Sequence, residues 1–147
     1  MSDGDLPQDE ADELIAMPKI RVNDEIMYFP GRGGALDIPL MSDDRKEEFA
    51  LTIRRGRIDL NKGSYQNICR ECIVLLRAEL LGPTHCNPDD VEVPCPHIHI
   101  YKEGWGTKWA YPLPSNFSNP GNLWGTLQDF IQYCNITKPP KISRGLE

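Results

Sequence analysis

The stretch that most constrains this chain is Pro94-Cys95-Pro96-His97-Ile98-His99-Ile100-Tyr101, a two-residue alternation that carries two of the three histidines. In an extended strand His97, His99 and Tyr101 share one face, and Ile98 and Ile100 share the other. The isoleucines need an apolar core. The histidines therefore line the opposite face, as a metal site, a proton-transfer site or ordinary polar surface.

Partners for such a strand are visible elsewhere. Leu36, Ile38 and Leu40 alternate with Ala35, Asp37 and Pro39, and Phe49, Leu51 and Ile53 alternate with Ala50, Thr52 and Arg54. The turn at Ser42-Asp43-Asp44 makes these two an antiparallel pair. From Gln66 to Leu81 the pattern is ambiguous: Ile68, Cys72, Leu75, Leu76 and Leu80 fit a helical stripe, while Cys72-Ile73-Val74-Leu75-Leu76 fits a buried strand. The turn signal Asn87-Pro88-Asp89-Asp90 favours a strand over about 70–81 that returns antiparallel into 96–102. A final hairpin turns at Glu103-Gly104-Trp105-Gly106 into Lys108-Trp109-Ala110-Tyr111. Asp24 to Phe29 also has strand character. The following Pro30-Gly31-Arg32-Gly33-Gly34 lacks the ending and the helix of a phosphate loop, so it reads as a hairpin loop.

Helices are expected at both ends. Residues 7–16 combine acidic residues in a first turn with Ala11, Leu14 and Ile15 as an apolar stripe, and Pro18 stops them. Leu123, Trp124, Leu127, Phe130, Ile131 and Cys134 recur at helical spacing, with Asn119 or Asn122 as cap. The expected fold is one α+β domain over 1–147, an antiparallel sheet of five or six strands with a helix at each end, and irregular tails at 1–6 and 138–147. With 147 residues the chain can bury one real core, not two.

If the meander is right, Thr52, Arg54, Arg77, Glu79, His97, His99 and Tyr101 collect on one polar face. Those groups suit a metal-independent ribonuclease: an imidazole to take the 2′-hydroxyl proton, an acid for the leaving oxygen and a guanidinium for the phosphate. The candidate catalytic residues are His97, His99, Tyr101 and Glu79. Arg54, Arg77, Lys102 and Trp105 are the candidate substrate contacts, Trp105 as a base-stacking platform. Trp109 reads as cross-strand packing. A metal on the two histidines needs a third ligand, with His85, Glu79 and Asp37 as candidates and no spacing that singles one out, so no metal or cofactor is assigned.

Charge leaves a nucleic-acid partner open. The net charge is −6, but six acids (Asp3, Asp5, Asp9, Glu10, Asp12 and Glu13) lie in the first fourteen residues, so the rest of the chain is neutral. Arg54, Arg55 and Arg57 with Lys62 form the best basic cluster, either a phosphate contact or a solvated strand end. Five cysteines fit a reducing compartment better than a disulfide framework. Cys69-Arg70-Glu71-Cys72 makes a poor zinc knuckle, since positions 69 and 72 of one strand point to opposite faces. With no membrane-length apolar run and an acidic start, a soluble cytoplasmic protein is expected.

At Pro96-His97-Ile98-His99-Ile100-Tyr101 with Gly106-Thr107-Lys108-Trp109-Ala110 the chain resembles uncharacterised bacterial families, best matching the domain-of-unknown-function family numbered 6978. Arg57-Ile58-Asp59-Leu60, Lys62 to Asn67, Asn87-Pro88-Asp89 and Leu127 to Thr137 extend the resemblance over most of the chain. The Pro-His-Ile-His motif is similar to one in small proteins of toxin–antitoxin and mobile-element loci. That similarity implies an accessory, conflict-related role. The family pattern does not feature Cys69 or Cys72. Two function classes follow: an RNA-cleaving or RNA-binding toxin–antitoxin or defence protein acting through His97 and His99, or a non-catalytic module (antitoxin, inhibitor or anti-defence protein) that engages a protein partner through its acidic start and aromatic hairpin.

Overall fold

Short alternating segments outnumber those expected. A computed structural model describes residues 4–59 and 61–144; residues 1–3, 60 and 145–147, including the outer parts of both expected tails, lie outside the described residues. In chain order the elements are α1 (Gln8–Ala16), β1 (Lys19–Arg21), β2 (Ile26–Tyr28), β3 (Ala35–Ser42), β4 (Glu48–Arg55), β5 (Gly63–Cys69) and β6 (Ile73–Glu79). Then follow β7 (His85–Cys86), β8 (Glu92–Val93), β9 (His97–Ile100), β10 (Ala110–Pro112), α2 (Leu123–Tyr133), β11 (Ile136–Lys138) and β12 (Lys141–Ser143). The fold is α+β.

Eight strands form the main sheet, in the order β10-β9-β6-β5-β4-β3-β1-β11, rather than five or six. Its neighbours pair antiparallel except β1 with β11, which run parallel and make the sheet mixed. The unanticipated members are β1, β5 and β11. The expected strand over 70–81 is the second arm of a hairpin whose turn holds Arg70 and Glu71 at φ 50° and 70°. A second correction falls in the carboxy-terminal tail, where β12 pairs with β2 in a separate two-stranded sheet. The Asn87-Pro88-Asp89-Asp90 turn closes a small hairpin, β7–β8, inserted between β6 and β9.

Alternation builds the core as expected. Ile38, Leu51, Ile53, Tyr65, Leu76, Ala78 and Ile98 are buried in one cluster with Ala11 and Leu14 of α1 and Leu127, Phe130 and Ile131 of α2. Each large apolar side chain contributes about 1.5–3 kcal/mol, against roughly 1 kcal/mol for a helix cap, so packing rather than capping holds the helices. Asn122 caps α2, its side-chain oxygen accepting from the Gly125 N–H at 2.8 Å.

One buried cation ties both helices to the sheet. Lys19 is wholly buried, and its Nζ donates to the carbonyls of Ile15 and Met17 at the end of α1 (2.9 Å each) and of Cys134 after α2 (2.8 Å). It also lies 4.8 Å from the Phe49 ring centroid. Helix C-termini favour a cation, and the three acceptors replace its water. Lys19→Ala leaves those carbonyls without a donor and is expected to cost about 3 kcal/mol, read as a lower urea midpoint at unchanged slope.

The same neighbourhood sets alkaline stability. Burial lowers Lys19 to about 8 from 10.5, so between those values the unfolded chain holds the extra proton and this group's contribution grows with pH. Burial raises the Cys69 and Cys134 thiols to about 11 and about 12 from 9.0; there the unfolded thiols ionise first and the contribution falls with pH. Two thiols outweigh one lysine. Stability is expected to decline from about pH 9 to 10, and Cys134→Ala to flatten the decline in denaturation series; a rise in the wild type over that window would contradict it.

Candidate functional site

The pairing of β6 with β9 assembles the site. In register, Glu79 faces His97, Ala78 faces Ile98 and Arg77 faces His99. Adjacent pairings extend two rows over the same face: Arg54–Ser64–Glu79–His97, and Thr52–Gln66–Arg77–His99. At about 4.8 Å between strands, Arg54 starts two strands from Glu79.

Both imidazoles are sealed, each 1% exposed. His97 Nδ1 lies 3.1 Å from the Val93 carbonyl oxygen and His99 Nδ1 lies 2.7 Å from that of Thr107. A carbonyl only accepts, so each Nδ1 carries a proton and, in the neutral ring, each Nε2 presents a lone pair. His85 joins from β7, its ring centroid 4.7 Å from His99 and 6.0 Å from His97, with its Nε2 donating to the Lys108 carbonyl at 2.7 Å. The partly buried His85 ring of β7 thus packs against the two buried imidazoles of β9.

Glu79 faces the two strand histidines. Its Oε1 is 3.1 Å from His99 Nε2 and 3.0 Å from Arg77 Nε, and its Oε2 is 3.9 Å from His97 Nε2. His99 at its oxygen, then the Arg77 charge, hold the Glu79 carboxyl down to about 2 against the opposing effect of burial. Burial, reinforced by His99, pushes His97 below the usual imidazole value. On its other side Glu79 lines a cavity of about 330 Å³ with Arg54, Arg55, Lys62, Ser64 and Arg77. The histidines are not part of its lining.

The description "Family of unknown function (DUF6978)" matches residues 6–136. The chain belongs to DUF6978. Neither curated proteins nor solved structures yield a match.

In this DUF6978 member the other proposed site residues lie apart. Asn67 opposes Leu76 while Ile68 opposes Val74, leaving Leu75 as a bulge whose carbonyl accepts the Tyr101 N–H at 2.9 Å. Beyond that point alternation fails. Tyr101 enters the core cluster and its hydroxyl donates to the Leu6 carbonyl at 2.8 Å, away from the histidines. Lys102 sits over the Trp109 ring at 4.6 Å, and Trp105 packs edge-on against Trp109 at 6.0 Å, so both belong to the hairpin rather than the cavity. Asp37 accepts from Arg54 at 2.9 Å and stays out of the histidine cluster. Cys69 is buried and Cys72 exposed on the turn. Arg55 and Lys62, previously grouped with Arg54 by charge alone, prove to line the same cavity. The carbonyls of Val93 and Thr107 were illegible, because backbone acceptors leave no sequence signal.

The tautomers are testable. Long-range ¹H–¹⁵N imidazole spectra are expected to show Nδ1–H for His97 and His99 and Nε2–H for His85. An Nε2–H-only ring at 97 or 99 would contradict this geometry.

Proposed function

We propose that this DUF6978 protein binds RNA through the cavity beside Glu79, as a component of a toxin–antitoxin or defence system. The observation that carries the reading is the convergence of Arg54, Arg55, Lys62 and Arg77 on one open cavity in a chain whose net charge is −6. Clustered cations of this kind suit phosphate oxygens, and arginine does so with a planar fork. RNA adds a 2′-hydroxyl, from which the Glu79 carboxylate on the cavity wall can accept a hydrogen bond. Binding is supported better than cleavage, because the imidazoles lie sealed behind Glu79 and outside the cavity lining.

A second reading rests on a separate feature. A hollow of about 480 Å³ lined by Val22, Pro39 and Met41 beside the buried Ile38, Leu40 and Phe49, with Glu47, Glu48, Glu71 and Arg45 at its walls, is consistent with a protein-interaction module. Among the described residues no helix is long and apolar enough to cross a membrane.

Fluorescence anisotropy with a short labelled single-stranded RNA separates the two. The wild type is expected to bind with a negative salt slope. Arg54→Ala/Lys62→Ala is expected to bind about tenfold or more weakly, with the slope reduced by about 1.4. Absence of wild-type binding at low salt, or equal binding by the double variant, would rule out the RNA reading and promote the module. Growth after induced expression, compared with a His97→Ala/His99→Ala variant of matched solubility, tests toxicity.

A further inference from the structure

The geometry points to a divalent metal site of the zinc type, formed by His97 Nε2, His99 Nε2 and a carboxylate oxygen of Glu79. It stands on the imidazole cluster and does not depend on the RNA reading.

Three observations carry it. First, the donor atoms of these three residues lie within 4.8 Å of one another. Bonds of about 2.0–2.1 Å at tetrahedral angles place ligand atoms roughly 3.3 Å apart. His99 Nε2 lies 3.1 Å from Glu79 Oε1 and His97 Nε2 lies 3.9 Å from Glu79 Oε2, so each imidazole faces its own oxygen of the carboxylate at a distance near that value.

Second, both ring nitrogens that face Glu79 are buried without a hydrogen-bond partner of acceptable geometry. A neutral His99 with its proton on Nδ1 turns a lone pair toward a carboxylate oxygen at 3.1 Å, which is repulsive unless something positive lies between. A proton on His99 Nε2 relieves that contact but leaves His97 Nε2 unsatisfied. One cation satisfies both nitrogens and the carboxylate together.

Third, the outer contacts are those that prepare a ligand. Each Nδ1 donates to a backbone carbonyl, which fixes the tautomer and the ring plane with Nε2 facing inward. Arg77 Nε forms an ion pair with the carboxylate at 3.0 Å without a hydrogen bond of acceptable geometry; its charge holds the carboxylate in place and works against a cation. Two histidines and one carboxylate fill three of the four positions of a tetrahedral zinc site.

The test uses the full chain, stripped with a chelator under reducing conditions and titrated with Zn²⁺ against a chromophoric competitor. One equivalent is expected to bind and to raise the melting temperature, with affinity at least tenfold weaker in Glu79→Gln. His97→Gln, judged folded by circular dichroism, serves as a second variant and is expected to lose affinity likewise. The Co²⁺ form is expected to show visible bands of tetrahedral geometry without thiolate charge transfer. Equal Zn²⁺ affinity in wild type and folded variants, or a thiolate band marking capture by the free cysteines, would overturn the site. Metal binding without RNA binding would leave this inference standing while the proposed function fails.

Discussion

The β6–β9 pairing is the constraint on which the site depends. Its register is selected on the core side, where Ala78 and Ile98 oppose each other with no exposure at all. A slip of one residue would turn Ile98 toward the polar side and His97 or His99 into the apolar cluster, so core packing enforces the register. Glu79 is thereby set opposite His97, and Arg77 opposite His99, without any contact among the four having to establish it. Chemistry on one face rests on hydrophobic selection on the other.

Sealing the imidazoles demands a second layer. A buried ring nitrogen without a partner costs about 1–3 kcal/mol, so the covering segments must supply acceptors as well as bulk. The β8 end supplies the Val93 carbonyl, and the 103–109 loop supplies those of Thr107 and Lys108. Asn87 locks these layers together, its side chain donating to the Ala110 carbonyl at 3.0 Å and accepting the Ala110 N–H at 2.8 Å. The two-stranded insertion between β6 and β9 thus contributes an acceptor for His97 through Val93, while the 103–109 loop contributes that for His99.

How far the chain can be read unaided follows from the same physics. The alternations around Ile38, Leu51 and Ile98 and the helical stripe around Phe130 were legible, because each runs long enough to show a period. Residues 19–21 and 136–138 carry three residues each, too few for any period, and their parallel pairing joins distant segments. The β5–β6 turn was hidden for another reason. Arg70 and Glu71 take left-handed backbone without the glycine or asparagine that announces it, and Arg70 is held instead by Glu10 at 2.8 Å and Glu47 at 3.0 Å. The Leu75 bulge then breaks the parity that had placed Tyr101 beside the histidines. His97, His99, Glu79 and Arg77 were readable because they lie on the regular side of that bulge.

Glu79 is where the two proposed ligands meet. Its Oε1 is shared by Arg77, which lines the cavity, and by His99, which faces the cradle. A cation in the cradle draws on the carboxylate charge and weakens its hold on Arg77, leaving the guanidinium more available to an anion in the cavity. A phosphate there in turn offsets the Arg77 charge that opposes a cation. Were both proposed ligands to bind, each would lower the cost of the other, and linkage would require the two effects to be equal in free energy. Such a coupling would need no moving domain. It follows from one carboxylate, held between two strand rows, that serves both sides of the site.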